Sequence, residues 1–192
     1  MKILAVQSRM GIGDTVIFLP FIKALSKKFN SPISILVKEN SKANQYLHQT
    51  KYIDKILTLE RDNKTNNRHG GFFGIFKLAN DLKKYKFDKI FIFNSSLRFN
   101  LVAKISGIPQ IYQYPLFAKN KQHIIEAPKK FLKKNLDLDI NEDPEVQIDN
   151  DSISKAAQKF QIDKNTTNIL LGIGGSGPTK RIPAKTFLSV ID

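Results

Sequence analysis

The sequence predicts an α/β fold, a mainly parallel sheet covered by helices on both faces, and three observations carry that reading. Short runs rich in β-branched and aromatic residues alternate with segments whose apolar residues recur at helical spacing. The strand-like runs are short, and short strands alternating with helices imply parallel pairing with crossover helices. Apolar residues make up 41% of the 192 positions and charged residues 25%, a balance that fills a sizeable core and excludes a wholly disordered chain.

The elements follow in order. Residues 3–7 form the first strand, and residues 15–29 a helix whose buried stripe is Val16, Leu19, Ile22, Ala24, Leu25 and Phe29. Pro20 lies about one turn into that helix and is expected to distort its start. Strands are expected at 33–37, 55–59, 89–93 and, more weakly, 110–114, with helices at 41–49, 74–84, 97–106, 122–136 and 152–160. Ser152 or Asp151 would cap the last of these.

Two stretches interrupt the alternation. Residues 61–71 (RDNKTNNRHGG) are polar and follow a strand, where binding loops of open α/β sheets lie; a linker reads equally well. Residues 137–151 (DLDINEDPEVQIDND) are the one acidic stretch of a basic chain and resemble an interdomain connection, with a short extended piece at 145–148. Beyond it, 168–173 reads as a fresh strand, followed by a glycine-rich loop and a helix from about Ala184. The expected organisation is therefore a first domain over 1–136, a linker and helix over 137–165, and the opening strand, loop and helix of an incomplete second domain over 166–192. A lone strand–loop–helix cannot bury its own apolar faces, so either it docks on the first domain or the chain is a fragment of a longer protein, and the fragment is the favoured expectation.

Composition narrows the chemistry. With no cysteine, disulfides, thiolate metal sites and cysteine nucleophiles are excluded. His48, His69 and His123 share no short spacing, so no metal site is expected. The net charge of +14 comes from 31 basic against 17 acidic residues, but only Arg9, Arg61, Arg68, Arg98 and Arg181 are arginines. Nucleic-acid recognition favours the bidentate guanidinium, so a nucleic-acid partner is not expected. Abundant Lys, Asn, Ile and Phe are what AT-rich coding produces, so the charge reads as such bias or as attraction to an anionic partner or membrane surface, and the clusters Lys83-Lys84-Lys86 and Lys129-Lys130-Lys133-Lys134 read first as solvated helix faces. No secretory leader or spanning segment is visible, which predicts a cytoplasmic protein, at most peripheral to a membrane.

Two loops could carry chemistry. The first, Ser8-Arg9-Met10-Gly11-Ile12-Gly13-Asp14-Thr15, follows strand one and opens helix one. Gly11 and Gly13 fit the first two positions of a dinucleotide fingerprint, Val16 occupies the third, and Glu39 lies where a ribose-binding acid would fall. Asp14 reads either as a capping or first-turn acid favoured by the helix dipole, or as a carboxylate at the sheet's mouth placed to take a proton from a bound hydroxyl. Spacing leaves both open. The second loop, from Gly172 to Pro183, combines Gly174, Gly175, Ser176 and Gly177 with Lys180 and Arg181, either a phosphate cradle or a flexible loop with two solvated cations. It is not a Walker loop, because Thr179 precedes Lys180.

Taken together the loops and their flanks resemble the ADP-heptose:lipopolysaccharide heptosyltransferases, glycosyltransferase family 9. MKILAVQSRMGIGDTVIFLPFIKALSKKF looks like that family's opening strand, Ser-x-x-x-Gly-Asp type loop and helix with an early Pro. ISILVKENSKANQYLHQTKYIDKILTLE, KKYKFDKIFIFNSSLRFNLVAKISGIPQIY and HIIEAPKKFLKKNLDLD follow in the family's order. NILLGIGGSGPTKRIPAKTFLSVI resembles the opening of the family's second domain, with Ile182 where Trp is usual. The ordered co-occurrence spans essentially the whole chain.

That resemblance implies the N-terminal half of a GT-B fold, a Rossmann-like acceptor domain truncated at the start of the donor-binding domain. It implies an inverting, metal-independent glycosyltransferase without a cofactor, in which Asp14 is the general base. Arg9, Gly11, Gly13 and Arg98 would contact the acceptor, while Gly175, Ser176 and Lys180 would hold the donor diphosphate. A surface or helix-start role for Arg98 reads equally well. The implied partners are a nucleotide-sugar donor such as ADP-heptose and a glycolipid or lipopolysaccharide-core acceptor, with contact at the inner membrane's cytoplasmic face. Two other readings compete: a non-catalytic nucleotide- or glycan-binding module, and an NAD-binding protein using Gly11, Gly13 and Glu39.

Overall fold

The structure, a computed structural model, describes residues 1–9, 11–61, 67–116, 123–163, 165–172 and 182–191. These fall into two compact units, Met1–Ile148 and Asp149–Asp192.

The first unit is built on five parallel strands: β1 (Ile3–Val6), β2 (Ile33–Lys38), β3 (Ile53–Leu59), β4 (Lys89–Ile92) and β5 (Gln110–Gln113). They lie in the order β3-β2-β1-β4-β5, so β1 is central and the chain reverses its direction of travel between β1 and β4. Ile3 pairs with Ile33 on one side and Lys89 on the other. Burial follows position in the sheet. All of β1 and nearly all of β2 and β4 are buried, whereas the edge strands β3 and β5 are largely half-buried. Strands covered on both faces read as unbroken apolar runs, which is why ILAV, ISILV and IFI were recognisable.

Alternation across the strands divides the core. Ile3, Ala5, Ile33, Ile35, Val37, Phe91 and Phe93 face one layer, where α2 (Leu19–Phe29), α3 (Ala43–Tyr46) and α6 (Glu126–Leu136) pack through Phe21, Leu25, Ala43, Phe131 and Leu132. Leu4, Val6, Leu36, Ile90 and Ile92 face the other, covered by α4 (Phe73–Lys83) and α5 (Leu97–Ile105) through Leu78, Leu82, Phe99 and Val102. Helices thus cover both faces.

The expected helix over 15–29 is two helices, α1 (Ile12–Ile17) and α2, divided at Phe18. Pro20 cannot donate an amide hydrogen to a continuous helix, but in the first turn of a new one that donor is not needed. The helix expected over 41–49 is a 3₁₀ turn, Glu39–Ser41, followed by the single turn of α3.

The acidic stretch is not a free connection over its whole length. Residues 137–148 belong to the first unit as an extended strap. Ile140 is buried, Leu138 and Val146 pack against the same layer as α2 and α6, and Glu142 pairs with Lys23 at 3.0 Å and with Lys27. Tyr52 donates to the Glu145 carbonyl at 3.4 Å, and the Lys51 amide to Gln147 Oε1 at 2.9 Å. Surface pairs of this kind contribute about 0–1 kcal/mol each, so the apolar anchors hold the strap and the ion pairs fix its course.

In the second unit α7 (Asn150–Lys159) is capped by Asp149, not by Ser152 or Asp151. Its carboxylate accepts from the Ser152 amide at 2.7 Å and the Ser152 hydroxyl at 3.0 Å. The second helix, α8 (Ala184–Ile191), starts where expected. No strand forms over the described residues 165–172, contrary to the reading of 168–173. A strand exists only through a ladder partner, and Ile169 and Leu170 stand exposed without one.

Candidate functional site

Ligands of open α/β sheets bind beyond the carboxyl ends of the strands, at the point where strand order reverses. Here that point lies between β1 and β4, and a cleft of about 670 Å³ opens there and over β5. Ser8 and Arg9 enter it after β1, Phe93, Asn94 and Ser95 after β4, and Gln113, Tyr114 and Pro115 from the end of β5. One face of α6 closes it with Ala127, Lys130, Phe131, Lys134 and Asn135. Its charged residues are therefore Arg9, Lys130 and Lys134, with no carboxylate among the described lining.

The walls are braced from within. Asn94 donates to Ser8 Oγ at 3.1 Å, joining the β1 and β4 loops across the reversal, and its Oδ1 accepts from the Ser96 amide at 2.9 Å. Gln113 Nε2 donates to the Asn94 and Ser96 carbonyls at 3.1 and 2.9 Å, while its Oε1 accepts from Asn100 at 2.9 Å. The floor is aromatic: Tyr114 and Phe93 each meet Phe131 edge-on, at 5.0 and 5.4 Å between ring centres. The Tyr114 hydroxyl is buried with no hydrogen-bond partner among the described residues. Burial pushes that phenol above its ordinary range, and the positive charge of Arg9 pulls it back in part.

The β1–α1 turn lies beside this cleft. Gln7, itself buried, reaches across the turn: its Nε2 donates to the Asp14 carbonyl at 3.1 Å and its Oε1 accepts from the Arg9 amide. Gly11 caps α1, and its amide donates to Asp14 Oδ2 at 3.0 Å. Glycine has no side chain to return that bond, so only half of a capping box is present. Thr15 Oγ1 closes the turn on the Gly11 carbonyl at 3.2 Å. Asp14 is half-buried; its Oδ2 holds the turn, and among the described residues no hydrogen bond reaches Oδ1, which can accept from a ligand.

The two glycines differ. A Cβ on Gly11 would come within 3.2 Å of Asp14 Oδ2, so the close approach explains this glycine locally. A Cβ on Gly13 would meet nothing within 4 Å.

Arg98 stands apart from the cleft lining. Its Nη1 donates to the Gly71 carbonyl at 2.7 Å and its Nη2 to the His69 carbonyl, clamping the turn before α4. His69 is buried beneath it, with Nδ1 accepting from the Glu60 amide at 3.1 Å and Nε2 against Asp81 Oδ2 at 3.1 Å. Since Nδ1 accepts, the ring proton sits on Nε2 and is donated to Asp81. Burial acts to raise the Asp81 carboxyl, but hydrogen bonds from His69, Arg68 and Lys84 outweigh it and hold the group below its ordinary value.

Arg9, Gly11, Gly13 and Asp14 are therefore brought to one edge of the sheet. Gly175, Ser176 and Lys180 lie outside the described residues. Glu39 opens the 3₁₀ turn after β2, and Val16 packs its side chain against the core. The sequence reading missed Asn94, Tyr114, Lys130 and Lys134. Lys130 and Lys134 were read as a solvated helix face, and their one-turn spacing, which sets both on the same side of α6, was the signal available. Tyr114 carried none, because its hydroxyl becomes notable only once it is buried.

A parallel, doubly wound sheet with its cleft at the strand-order reversal defines a Rossmann-like α/β fold. Known structures share it. A glycosyl transferase family 9 protein from Veillonella parvula matches 100% of this chain over 59% of its own, with a TM-score of 0.76 and 19% identity. The E. coli ADP-heptose lps heptosyltransferase II matches 99% of this chain over 62% of its own, at 0.64 and 18%. E. coli heptosyltransferase WaaC with ADP-2-deoxy-2-fluoro heptose matches 74% over 50%, at 0.50 and 12%. The chain thus spans less than two thirds of each of these proteins, and likeness at such identities establishes the fold. No family model and no curated protein matches the sequence.

Proposed function

We propose that this chain forms the acceptor-binding side of an inverting GT-B glycosyltransferase that moves a sugar from a nucleotide-sugar donor, ADP-heptose, to a lipopolysaccharide-type glycan. The observation that carries the reading is the half-buried carboxylate of Asp14 in the first turn of α1, on the loop that leads from β1 past a cleft whose described charged lining is basic. The shared fold, covering nearly all of this chain in two glycosyltransferase structures, supports it.

In the proposed reaction Asp14 accepts the proton of an acceptor hydroxyl as that oxygen bonds to the donor's anomeric carbon. The bond from that carbon to the diphosphate breaks on the opposite face, and the nucleoside diphosphate leaves with the electron pair. Gln7 and Gly11 hold the turn that carries Asp14, which limits the reorganisation needed at the moment of transfer. Arg9 would meet an anionic group of the acceptor. Lys180, with Ser176 and the backbone at Gly175, would offset charge on the departing diphosphate. The commitment of Arg98 to two loop carbonyls makes it a positioning residue in this account, holding the turn before α4.

A second reading has its own observation. Asp14 Oδ2 is engaged by the Gly11 amide, as a purely capping carboxylate would be, which suits a glycan- or nucleotide-binding module without turnover. The full-length protein, given ADP-heptose and a lipopolysaccharide-core acceptor, is expected to release ADP only when acceptor is present. Acceptor binding without ADP release favours the binding module. Micromolar NAD binding abolished by Glu39→Ala would replace both readings with the dehydrogenase-like one.

A further inference from the structure

The outer surface of α4 and α5 is apolar where it need not be. Phe72, the cap of α4, is 68% exposed and Phe73 is 77% exposed, with Phe76 half-exposed one turn on. Their rings touch one another edge-on, Phe72 lying 6.0 Å from Phe73 and 5.6 Å from Phe76, instead of entering the core beneath. The neighbouring α5 repeats the pattern: Leu97, Leu101 and Ile105 recur every fourth residue and are all exposed. The inward stripes of both helices are complete without these side chains, through Leu78, Leu82, Phe99 and Val102.

The aromatic tip is also held in place. Gly71, with φ of +59°, turns the chain immediately before Phe72, and Arg98 fixes that turn through the Gly71 and His69 carbonyls. Ordering a loop normally costs part of the energy gained on binding, and here that cost is met in folding.

Charge selects the occupant. The same helices expose Lys77, Lys83 and Lys104, and their single acid, Asp81, is occupied by Arg68, His69 and Lys84. A two-fold contact between copies would set this basic surface against itself, which disfavours self-association. Aromatic and aliphatic side chains framed by lysines are instead the chemistry of an interface-seated surface on acidic lipid. No helix among the described residues is long and apolar enough to cross a membrane.

We propose that the α4–α5 face docks on an anionic lipid bilayer, with Phe72, Phe73 and Phe76 entering the headgroup–acyl boundary and Lys77 and Lys104 meeting lipid phosphates. Membrane contact as such is what the family resemblance implies; what is new is the face that makes it, and vesicle binding tests that face separately from sugar transfer.

These 192 residues contain no tryptophan, so Phe73→Trp supplies a reporter at the proposed depth, read as the difference in emission from the unsubstituted protein. Its emission is expected to shift to the blue with phosphatidylcholine–phosphatidylglycerol vesicles and to be quenched by brominated acyl chains. Flotation with the same vesicles should fall about tenfold or more for Phe72→Ser/Phe73→Ser/Phe76→Ser. It should fall about fivefold for each of Lys77→Gln and Lys104→Gln. Ile148→Ser, an exposed apolar position elsewhere, should leave it unchanged, and matching thermal melts would show that the variants fold. Unshifted emission, or flotation lost with the lysines but retained by the triple serine variant, would overturn the proposal, since net charge alone would then explain binding. Self-association removed by the triple serine variant, without vesicle binding, would overturn it in favour of a second copy.

Discussion

The β1–α1 turn and the β3–α4 segment both follow the carboxyl end of a strand, and both combine glycines with charged side chains. The structure uses them differently. From Glu60 to Gly74, the described polar groups satisfy one another: both His69 ring nitrogens, the Asp81 carboxylate and the Arg98 guanidinium are engaged with this segment or the helices beside it. In the β1–α1 turn Arg9 is exposed at the cleft, and Asp14 spends one oxygen on the turn. Polar residues after a strand therefore do not mark a site by their presence. What distinguishes a site is the bonding capacity left after the local structure has been satisfied.

Substitutions can break that comparison, and the largest effect is expected in the closed segment. A Cβ at Gly74 would lie 2.3 Å from the His69 carbonyl carbon and 2.9 Å from Arg98, so Gly74→Ala should cost about 3 kcal/mol of stability in thermal or urea unfolding. His69→Ala should cost about 2 kcal/mol, because it strands the part-buried Glu60 amide, removes one donor from Asp81 and empties a buried site. Neither should alter ligand affinity in protein that remains folded.

Acid sharpens the same contrast. The folded-state carboxyl of Asp81 titrates below its ordinary value of 3.8, so its contribution is fully present above that pH and is lost as the pH falls through the lower folded value. Asp81→Asn should flatten the loss of stability below about pH 4, read as the urea midpoint against pH.

Smaller effects are expected in the open turn. Gly11→Ala must displace Asp14 by a few tenths of an ångström and should cost about 1 kcal/mol. Gly13→Ala should be neutral or stabilising by up to about 1 kcal/mol, since it gains helix propensity in free space. If Gly13→Ala also weakens acceptor binding, it is the ligand that requires the missing side chain. Tyr114→Phe removes a hydroxyl that has no hydrogen-bond partner among the described residues, so stability should change by less than about 1 kcal/mol while acceptor affinity falls.

The sheet was legible because β1, β2 and β4 are buried on both faces and their composition declares it. Pro20 marked a disturbance correctly, but whether the helix bends or restarts depends on how Phe18 and Phe21 pack. Residues 137–148 read as a connection because Glu142 and Glu145 outweigh Ile140 and Val146 in composition, whereas in space Lys23 and Lys27 supply the counter-charge. The reading of 168–173 as a strand rested on composition alone, which cannot report whether a ladder partner exists. Of the candidate site, the turn from Arg9 to Asp14 was visible as contiguous sequence. The cleft was not, because Asn94, Tyr114, Lys130 and Lys134 converge only through the order of the strands and the packing of α6.

The central claim is that Asp14 does more than cap α1. The direct measurement is Asp14→Asn in the full-length protein, comparing the rate of sugar transfer with the dissociation constant for ADP-heptose. A general base predicts a loss of about 10²–10⁴-fold in rate with donor affinity within a few-fold of wild type. Transfer retained within about tenfold at unchanged stability, or a loss of donor affinity as large as the loss of rate, would contradict it.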